Sequence, residues 1–212
     1  DTSSAGGWAW TGATTSFDLG TNRYFARAQD DEPDWSNTAA TTSVVNSVLP
    51  GMVNFGAYTI DSYGGTQDVS GTATVEDAGT TLHLTGNNWK KIDLAYNVTS
   101  DTVLEFDFRS PVRGEVHAIG FDTDLAVKSP ASFQIYGWQT WQTQTYNDYS
   151  PSAPNTKHYT IPLGAYVTGT QNYLFFANDD DSASSGDIYF TNVQVYEGTP
   201  SNVPPVIVSL DA

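Results

Sequence analysis

The sequence contains no cysteine, which excludes disulfides, thiolate chemistry and cysteine-ligated metal sites. Basic residues are also scarce: eight Lys and Arg stand against 24 Asp and Glu, and the formal net charge is −16. A surface this acidic repels phosphate backbones and anionic lipid headgroups, so we expect neither nucleic acid nor a membrane surface as a partner. No run approaches the roughly 18 consecutive apolar residues that a membrane-spanning helix needs.

The chain begins at Asp1, with no Met and no charged-then-apolar signal segment. We therefore expect a processed or excised piece of a longer protein. The absence of cysteine does not indicate the cytosol, and an acidic chain rich in Thr, Ser, Asn and Gly suits a salty exterior. These features together predict a secreted, extracellular and monomeric protein.

Helical periodicity is nearly absent, and the single candidate helix is the short segment "TTSVVNSVL" at residues 41–49. Strand signals dominate, because apolar and polar residues alternate with turn residues about every ten positions. "GTATVED" and "TTLHLTG" flank Asp77-Ala78-Gly79 and predict a hairpin. "DTVLEFDFRS" and "GEVHAIGFD" flank "PVR" and predict a second one. This spacing predicts an all-β, antiparallel, jelly-roll-like β-sandwich.

The composition suggests three parts. Residues 54–198 carry the strand pattern continuously and have the length of one sandwich. Residues 1–53 are rich in Gly, Ala and Thr and contain three Trp, and they are either packed against the sandwich or the tail of a preceding domain. Residues 199–212, "TPSNVPPVIVSLDA", read as a Pro-containing linker to a further module.

The second predicted hairpin would place charged residues on one outer face. If Leu104, Phe106 and Phe108 point into the core, Glu105, Asp107 and Arg109 point outward. In simple register Glu115 and His117 would join them, while the small residues Val116, Ala118 and Gly120 would face the core. The full charged set is Glu105, Asp107, Arg109, Glu115 and His117.

Aromatic residues are expected beside this charged set. Alternation puts Trp89 outside, and in "SFQIYGWQTW" it puts Gln134, Tyr136 and Trp138 outside. The stretch "YGWQTWQTQTYNDY" holds five aromatic rings and no aliphatic side chain. Two interpretations remain open: a solvated outer face, or a sugar-binding face whose rings stack on the C–H faces of sugars. The candidate carbohydrate-binding residues are Trp89, Arg109, Glu115, His117, Tyr136, Trp138, Gln139 and Trp141.

Two acidic clusters, "GFDTD" and "ANDDDSASSGD", follow predicted strands and have the composition of calcium-binding loops. No EF-hand pattern is present, and a solvated acidic loop is the alternative. We expect a structural calcium ion, with a weaker third candidate in "DDEPD" at residues 30–34. Zinc is not expected, because the three His lack ligand spacing. The candidate metal ligands are Asp122, Asp124, Asp179, Asp180 and Asp181.

Signals for catalysis are weak. Glu105 and Glu115 could face each other as a carboxylate pair of the kind a glycosidase uses. No glycosidase or lyase signature surrounds them, and the sequence has no serine-hydrolase elbow, P-loop or dinucleotide fingerprint.

Several segments resemble non-catalytic β-sandwich carbohydrate-binding modules, which are appended to secreted polysaccharide-degrading enzymes of bacteria, often marine ones. The resemblance is carried by "YGGTQDVSGTATVEDAGTTLHLTGNNWKKIDL", "TVLEFDFRSPVRGEVHAIGFDTD", "FQIYGWQTW" and "YTIPLGAYVTGTQNYLFFANDDD" with "IYFTNVQVYEG". It covers about residues 57–198 and rests on pattern, without a short diagnostic motif. It implies a jelly-roll-like sandwich, one structural calcium, and sugar contact through Trp and Tyr.

We therefore expect a module that binds polysaccharide and anchors a covalently linked catalytic module to its substrate. Two alternatives stay open. One is a small polysaccharide lyase or glycoside hydrolase that uses Glu105 and Glu115. The other is a calcium-stabilised adhesin or spacer domain.

Overall fold

A computed structural model describes residues 51–127, 129–151 and 155–198, and the backbone of two strands at residues 20–26 and 40–46. The three N-terminal Trp, the acidic run at residues 30–34 and the expected linker at residues 199–212 lie outside these ranges. The chain divides into two compact units, and residues 50–200 form the larger one.

Strands β1 (Gly20–Ala26) and β2 (Ala40–Asn46) form an antiparallel pair in the smaller unit. The helix expected at residues 41–49 is therefore wrong over the described part of that segment. Its Thr and Val side chains are β-branched, and such residues favour strands over helices.

The larger unit is built from nine strands and four short 3₁₀ helices among the described residues. The strands are β3 (Asp61–Ser62), β4 (Ser70–Glu76), β5 (Thr81–Val98), β6 (Thr102–Val112), β7 (Val116–Asp122), β8 (Ser132–Tyr136), β9 (Lys157–Ile161), β10 (Gly169–Asp179) and β11 (Gly186–Glu197). The 3₁₀ helices are Phe55–Ala57, Gly65–Gln67, Asp77–Gly79 and Leu163–Ala165.

These strands form two antiparallel sheets that share the long strand β5. The first half of β5 lies in the first sheet, whose order is β4-β5-β11-β6-β9. Its second half lies in the second sheet, whose order is β3-β5-β10-β7-β8. The expected all-β, antiparallel sandwich is confirmed.

The main core lies between the two sheets. Phe176 of β10 contacts Phe190 of β11 across the interface, with ring centroids 5.1 Å apart, and Phe55 packs edge-on against Phe176 at 5.5 Å. Val53 is buried in this core, and its N–H donates to the carbonyl of Val193 in β11. Burial of so many large rings supplies most of the stabilisation of the fold.

The first predicted hairpin is confirmed, and the second is wrong. Strands β4 and β5 pair with Glu76 opposite Thr81, and Asp77–Gly79 makes the turn. Strand β6 instead pairs with β11 and β9, while β7 pairs with β10 and β8. The chain crosses between the sheets at Gly114, where a Cβ atom would lie 2.5 Å from the Asp179 carbonyl oxygen.

A second apolar layer covers part of the outer face of the second sheet. Strand β7 is therefore buried at every position. His117, Ile119 and Phe121 alternate with Val116 and Ala118, and the two sets pack against different layers. The second layer consists of Tyr63, Trp89, Val116, Ala118, Phe175 and Ala177, with Val127 and Trp141 packed against it.

Within the described ranges, no helix has the length and apolar character needed to span a membrane.

Candidate functional site

Three neighbouring strand ends of the second sheet meet at one edge. The N–H of Glu115, just before β7, donates to the Asp179 carbonyl at the end of β10 (2.7 Å). After β8, the Trp138 N–H donates to the Gly114 carbonyl (3.1 Å) and the Gln139 N–H donates to the Glu115 carbonyl (2.9 Å). Backbone pairing therefore fixes the bases of these side chains. The surface formed by Arg113, Glu115, Trp138, Gln139, Asp179 and Asp181 is called the Trp138 surface below.

Trp138 is the most exposed large ring among the described residues, with 69% of its surface accessible. The guanidinium carbon of Arg113 lies 3.8 Å from the centre of its ring, and 4.7 Å from the ring of Tyr136. Arg113 also donates to the Gly137 carbonyl. The stacking guanidinium holds the indole in place and leaves its opposite face to solvent.

Gln134 organises the loop that carries Trp138, and sequence reasoning missed it. It is fully buried, and its side-chain amide donates to the carbonyls of Tyr136 (3.2 Å) and Gln139 (2.6 Å). Its side-chain oxygen accepts from the Trp141 N–H at 2.7 Å and from the Gln144 amide at 2.6 Å. A buried amide that satisfies its groups within one loop rigidifies that loop. The available signal was a single Gln between Phe133 and Ile135.

Three carboxylates converge beside Trp138. Glu115, Asp179 and Asp181 each offer an oxygen within 4.8 Å of the others. Gln139 donates to Glu115 Oε1 (2.8 Å), and the Asp181 N–H donates to Glu115 Oε2 (2.7 Å). Trp89 Nε1 donates to Asp179 Oδ1 at 3.0 Å. Neutral donors therefore orient the cluster, and no Lys, Arg or His of the described residues forms an ion pair with it.

Burial raises the pKa of Asp179, and the negative charges of Asp181, Glu115 and Asp180 raise it further, against the lowering effect of the Trp89 hydrogen bond. A carboxylate whose charge is disfavoured in this way gains from a nearby cation. Calcium prefers clustered carboxylate and other hard oxygen ligands, so this donor set fits calcium.

The structure brings together five of the predicted site residues that were assigned to two separate sites. Glu115, predicted for sugar binding, lies with Asp179 and Asp181, predicted for metal binding. Trp138 and Gln139 adjoin them through the backbone pairs with residues 114 and 115. The sequence could not show this, because Glu115 and Asp179 become neighbours only through the pairing of β7 with β10.

Two predicted sugar-binding residues are buried, and those two predictions are wrong. Trp89 is only 2% exposed and lies beneath Trp141, with ring centroids 5.3 Å apart. His117 is fully buried and faces Phe108 in the main core. Its Nε2 accepts the Gly114 N–H at 2.7 Å, and burial lowers its pKa to about 4. His117 was misplaced because the assumed register of the second hairpin turned β7 over. Trp89 does lie on the outer side of the second sheet, but the second apolar layer covers it there.

The remaining predicted rings are partly packed. Trp141 is half-buried and packs edge-on against Trp89 and Phe175. Tyr136 is half-buried, with Arg113 over one face and Tyr149 edge-on at 5.1 Å. In "YGWQTWQTQTYNDY" one ring is therefore exposed, and the other four pack to different degrees.

Arg109 lies elsewhere, on the outer face of the first sheet, where its guanidinium carbon is 3.7 Å from the centre of the Tyr189 ring. Glu105 is on the same strand, accepts from the Tyr196 hydroxyl and lies 3.2 Å from His158 Nε2. The expected outward orientation of Glu105 and Arg109 is correct. Their grouping with Glu115 is wrong, because Glu115 belongs to the second sheet.

Three predicted metal ligands serve local structure instead. Asp122 ends β7, far along that strand from Glu115, and accepts from the Tyr63 hydroxyl (2.5 Å) and the Thr123 N–H (2.7 Å). Asp124 accepts from the Ala126 N–H at 2.8 Å. Asp180 accepts from Ser182 and Ser185 and from the Gly186 N–H within its own loop. None of the three belongs to the carboxylate cluster.

Fold and site define an antiparallel β-sandwich domain with one exposed ring beside oriented carboxylates and an amide. No family model matches the chain, and no curated protein matches it. Several solved structures show distant similarity.

The first is the glycoside hydrolase domain of Endo-D from Streptococcus pneumoniae R6, with a TM-score of 0.40 and 13% identity over 68% of this chain and 22% of that chain. Another is SGBP-B from a xyloglucan utilization locus of Bacteroides uniformis, with a TM-score of 0.42 and 12% identity. That match covers 85% of this chain and 66% of the other chain. A third is the family 30 carbohydrate-binding module of a Clostridium thermocellum cellulosomal cellulase, with a TM-score of 0.34 and 16% identity. That match covers 71% of this chain and 95% of the other chain. The chain thus spans about a fifth of the first of these proteins. With TM-scores this low, these similarities carry no argument about function.

Proposed function

We propose that this chain is a non-catalytic carbohydrate-binding module that binds polysaccharide at the Trp138 surface. The observation that carries the proposal is Trp138 itself. Its indole is fixed from one side by Arg113 and offers the other side to solvent, 69% exposed. A sugar presents an apolar C–H face that can stack on such a ring, and the ring loses little conformational entropy on binding.

Polar groups beside the ring suit the hydroxyls of the same sugar. The Gln139 amide and the Glu115 carboxylate are joined by a 2.8 Å hydrogen bond and lie at the surface next to Trp138. Planar amides and carboxylates can bond two adjacent hydroxyls at once. Tyr136, another candidate from the sequence, supports Arg113 rather than contacting sugar.

In this proposal a calcium ion is held by Glu115, Asp179 and Asp181. The support is the 4.8 Å spacing of their oxygens and the absence of a cationic partner among the described residues. The ion would neutralise the mutual repulsion of the three carboxylates and fix the edge of the sheet beneath Trp138. The module would be a monomer within a secreted protein, anchoring a linked catalytic module by raising its local concentration on the polymer.

The test is affinity electrophoresis through gels that contain agarose, laminarin, xylan, alginate, carrageenan or cellulose derivatives, each with calcium and with chelator. We expect retardation in at least one gel that contains a neutral polymer, loss of that retardation with Trp138→Ala, and weakening with chelator. Leu125→Ala is the matched control, because Leu125 is also an exposed apolar side chain, 47% accessible, and lies beyond the other end of β7. Retention of Trp138→Ala equal to wild type would overturn the site, and no retardation in any gel would favour an adhesin or spacer domain.

A glycoside hydrolase is the second candidate, favoured by the raised pKa of Asp179 beside Glu115 and Asp181. Retaining hydrolases use two carboxyl groups about 5 Å apart, and the pKa of the general acid of the pair is raised. The pair considered from the sequence, Glu105 and Glu115, is not supported, because the two residues lie on different sheets. If the wild type releases reducing ends from a polysaccharide and Asp179→Asn does not, the chain is a glycoside hydrolase rather than a non-catalytic binding module.

A further inference from the structure

The outer face of the first sheet carries a stack of three planar groups. His83 lies over the Tyr189 ring at 3.9 Å with an interplanar angle of 13°, and Arg109 lies at 3.7 Å from the same ring. His83 is itself fixed by Glu76 and Asp187, each 2.8 Å from one of its ring nitrogens. The Arg109 guanidinium therefore lies against a ring that is itself supported by His83, and His83 is held by two carboxylates.

The charge of Arg109 is not matched by a carboxylate of the described residues. Asp107, two positions earlier on β6, is held by His158 (2.8 Å) and Asn192 (2.9 Å). Asp187, two positions before Tyr189, is held by His83, whose Nε2 lies 2.8 Å from the Asp187 carboxylate. Among the described residues Arg109 forms neither an ion pair nor a hydrogen bond, so its N–H donors are free for a ligand.

The described lysines differ from Arg109. Lys90 pairs with Asp68 at 2.7 Å, Lys91 pairs with Asp93 at 2.5 Å, and Lys157 pairs with Asp148 at 2.5 Å. Arg113 also lacks a carboxylate partner among the described residues, but its side chain donates to the Gly137 carbonyl, whereas the Arg109 side chain makes no hydrogen bond to a described residue.

Arg109 forms part of the wall of a cavity of about 170 Å³. The other polar groups of the wall bond to each other: the Tyr149 hydroxyl accepts the Ser110 N–H (3.1 Å) and donates to the Asn155 carbonyl (2.6 Å). Two prolines add flat C–H surfaces. The lining residues are Arg109, Ser110, Pro111, Tyr149, Pro151 and Asn155.

We propose that this cavity binds the carboxylate of an acidic sugar residue, a uronate, through the Arg109 guanidinium. The proposal takes from the proposed function only that the ligand is a saccharide, and it concerns a different surface from that of Trp138. A guanidinium fork matches a carboxylate with two parallel hydrogen bonds, and stacking on Tyr189 fixes its orientation before binding. The prolines pack against the sugar ring that carries the carboxylate.

The test is isothermal titration calorimetry of the full chain with trimers of galacturonate, glucuronate and mannuronate, and with their methyl esters, in low-salt buffer. We expect at least one uronate trimer to bind and its methyl ester not to bind. Arg109→Met raises the Kd at least about tenfold, which is the size expected for loss of a charge-assisted hydrogen bond. Arg109→Lys does the same, because lysine keeps the charge and lacks the fork.

Lys90→Met is the control, since it removes one positive charge at a distance from the cavity and leaves the Kd unchanged. Equal Kd values for wild type and both Arg109 variants, equal binding of the esters, or no binding of any uronate trimer would overturn the proposal. The outcome is separable from the proposed function. Trp138→Ala removes retention by a neutral polysaccharide and leaves uronate binding intact, whereas the Arg109 variants do the opposite.

Discussion

His117 is kept neutral by its surroundings. It is fully buried, and its Nε2 accepts the Gly114 N–H, which a protonated nitrogen could not do. Burial lowers the pKa of His117 from 6.5 to about 4 in the folded protein. Between these two values the unfolded chain binds a proton that the folded chain does not, so the free energy of unfolding falls as the pH falls through this window.

The difference in pKa corresponds to roughly 3 kcal/mol of unfolding free energy, which is present above about pH 6.5 and lost by about pH 4. The check is urea unfolding of wild type and His117→Gln at pH 7.5 and pH 4.5, an interval that covers most of the range between the two pKa values. Gln can still accept from Gly114 but does not titrate, so the wild type loses more stability than the variant between the two pH values. Identical losses would show that His117 is not held neutral.

Asp180 stabilises the loop between β10 and β11. Burial alone would raise the pKa of its carboxyl, but hydrogen bonds from Ser185, Ser182 and the Gly186 N–H outweigh burial and lower it. The fold therefore stabilises the ionised form of the Asp180 carboxyl. The free energy of unfolding that this group contributes is lost as the pH falls through its lowered pKa.

Asp180→Asn at neutral pH is expected to cost about 1–3 kcal/mol of unfolding free energy, because the buried Gly186 N–H and the partly buried Ser185 N–H lose a charged acceptor. Thermal and urea unfolding measure the loss. Asp124→Asn is the control, since Asp124 is exposed and accepts from the Ala126 N–H alone among the described donors. A loss no greater than that of the control would contradict the role given to Asp180.

Among the elements, strand β5 sets the geometry of the sandwich because it bends from one sheet into the other near Gly86. Gly86 has φ of +89°, and a Cβ atom there would lie 2.8 Å from the Gly71 Cα of β4. Only glycine combines this backbone conformation with so close an approach. Loss of the bend would separate the carboxylate cluster, built on the second sheet, from the first sheet.

Gly169 provides a matched comparison, because it has the same φ of +89° but a Cβ there would contact nothing within 4 Å. Gly169→Ala bears only the cost of the left-handed conformation, about 1–2 kcal/mol. Gly86→Ala bears that cost and a backbone clash, so its unfolding free energy falls further, by several kcal/mol or to complete unfolding. Equal losses in urea unfolding would show that β4 and β5 can separate at this point without cost.

The elements also show how far the sequence predicts this fold. Alternation and turn residues predict the strands and the hairpin at Asp77–Gly79, because both depend on neighbours along the chain. The pairing of β7 with β10 is non-local, so the sequence does not indicate which face of β7 points to the main core. Val116 and Ala118 were expected in that core, but they pack in the second apolar layer on the outer side of the second sheet. Trp138 and Gln139 were therefore identified correctly as exposed, while Trp89 and His117 were not.

At the scale of the whole molecule, the net charge of −16 destabilises the folded state through self-repulsion. Sodium chloride screens this repulsion, so the Tm is expected to rise as salt is added from a low-salt buffer. Under our proposal that calcium is held by Glu115, Asp179 and Asp181, calcium at the same ionic strength should raise the Tm further, because it would both screen the repulsion and bind the folded protein.

Binding adds about 2.7 kcal/mol of stability when the free calcium concentration is 100 times the Kd. Glu115→Gln with Asp181→Asn should abolish the difference between calcium and sodium at matched ionic strength, while the rise with sodium remains. Lys90→Met changes the net charge by one without touching the cluster and should keep the calcium effect. If the double variant still melts at a higher temperature in calcium than in sodium, the ion binds elsewhere. If the wild type has the same Tm in both salts at matched ionic strength, calcium acts on this acidic domain by screening alone.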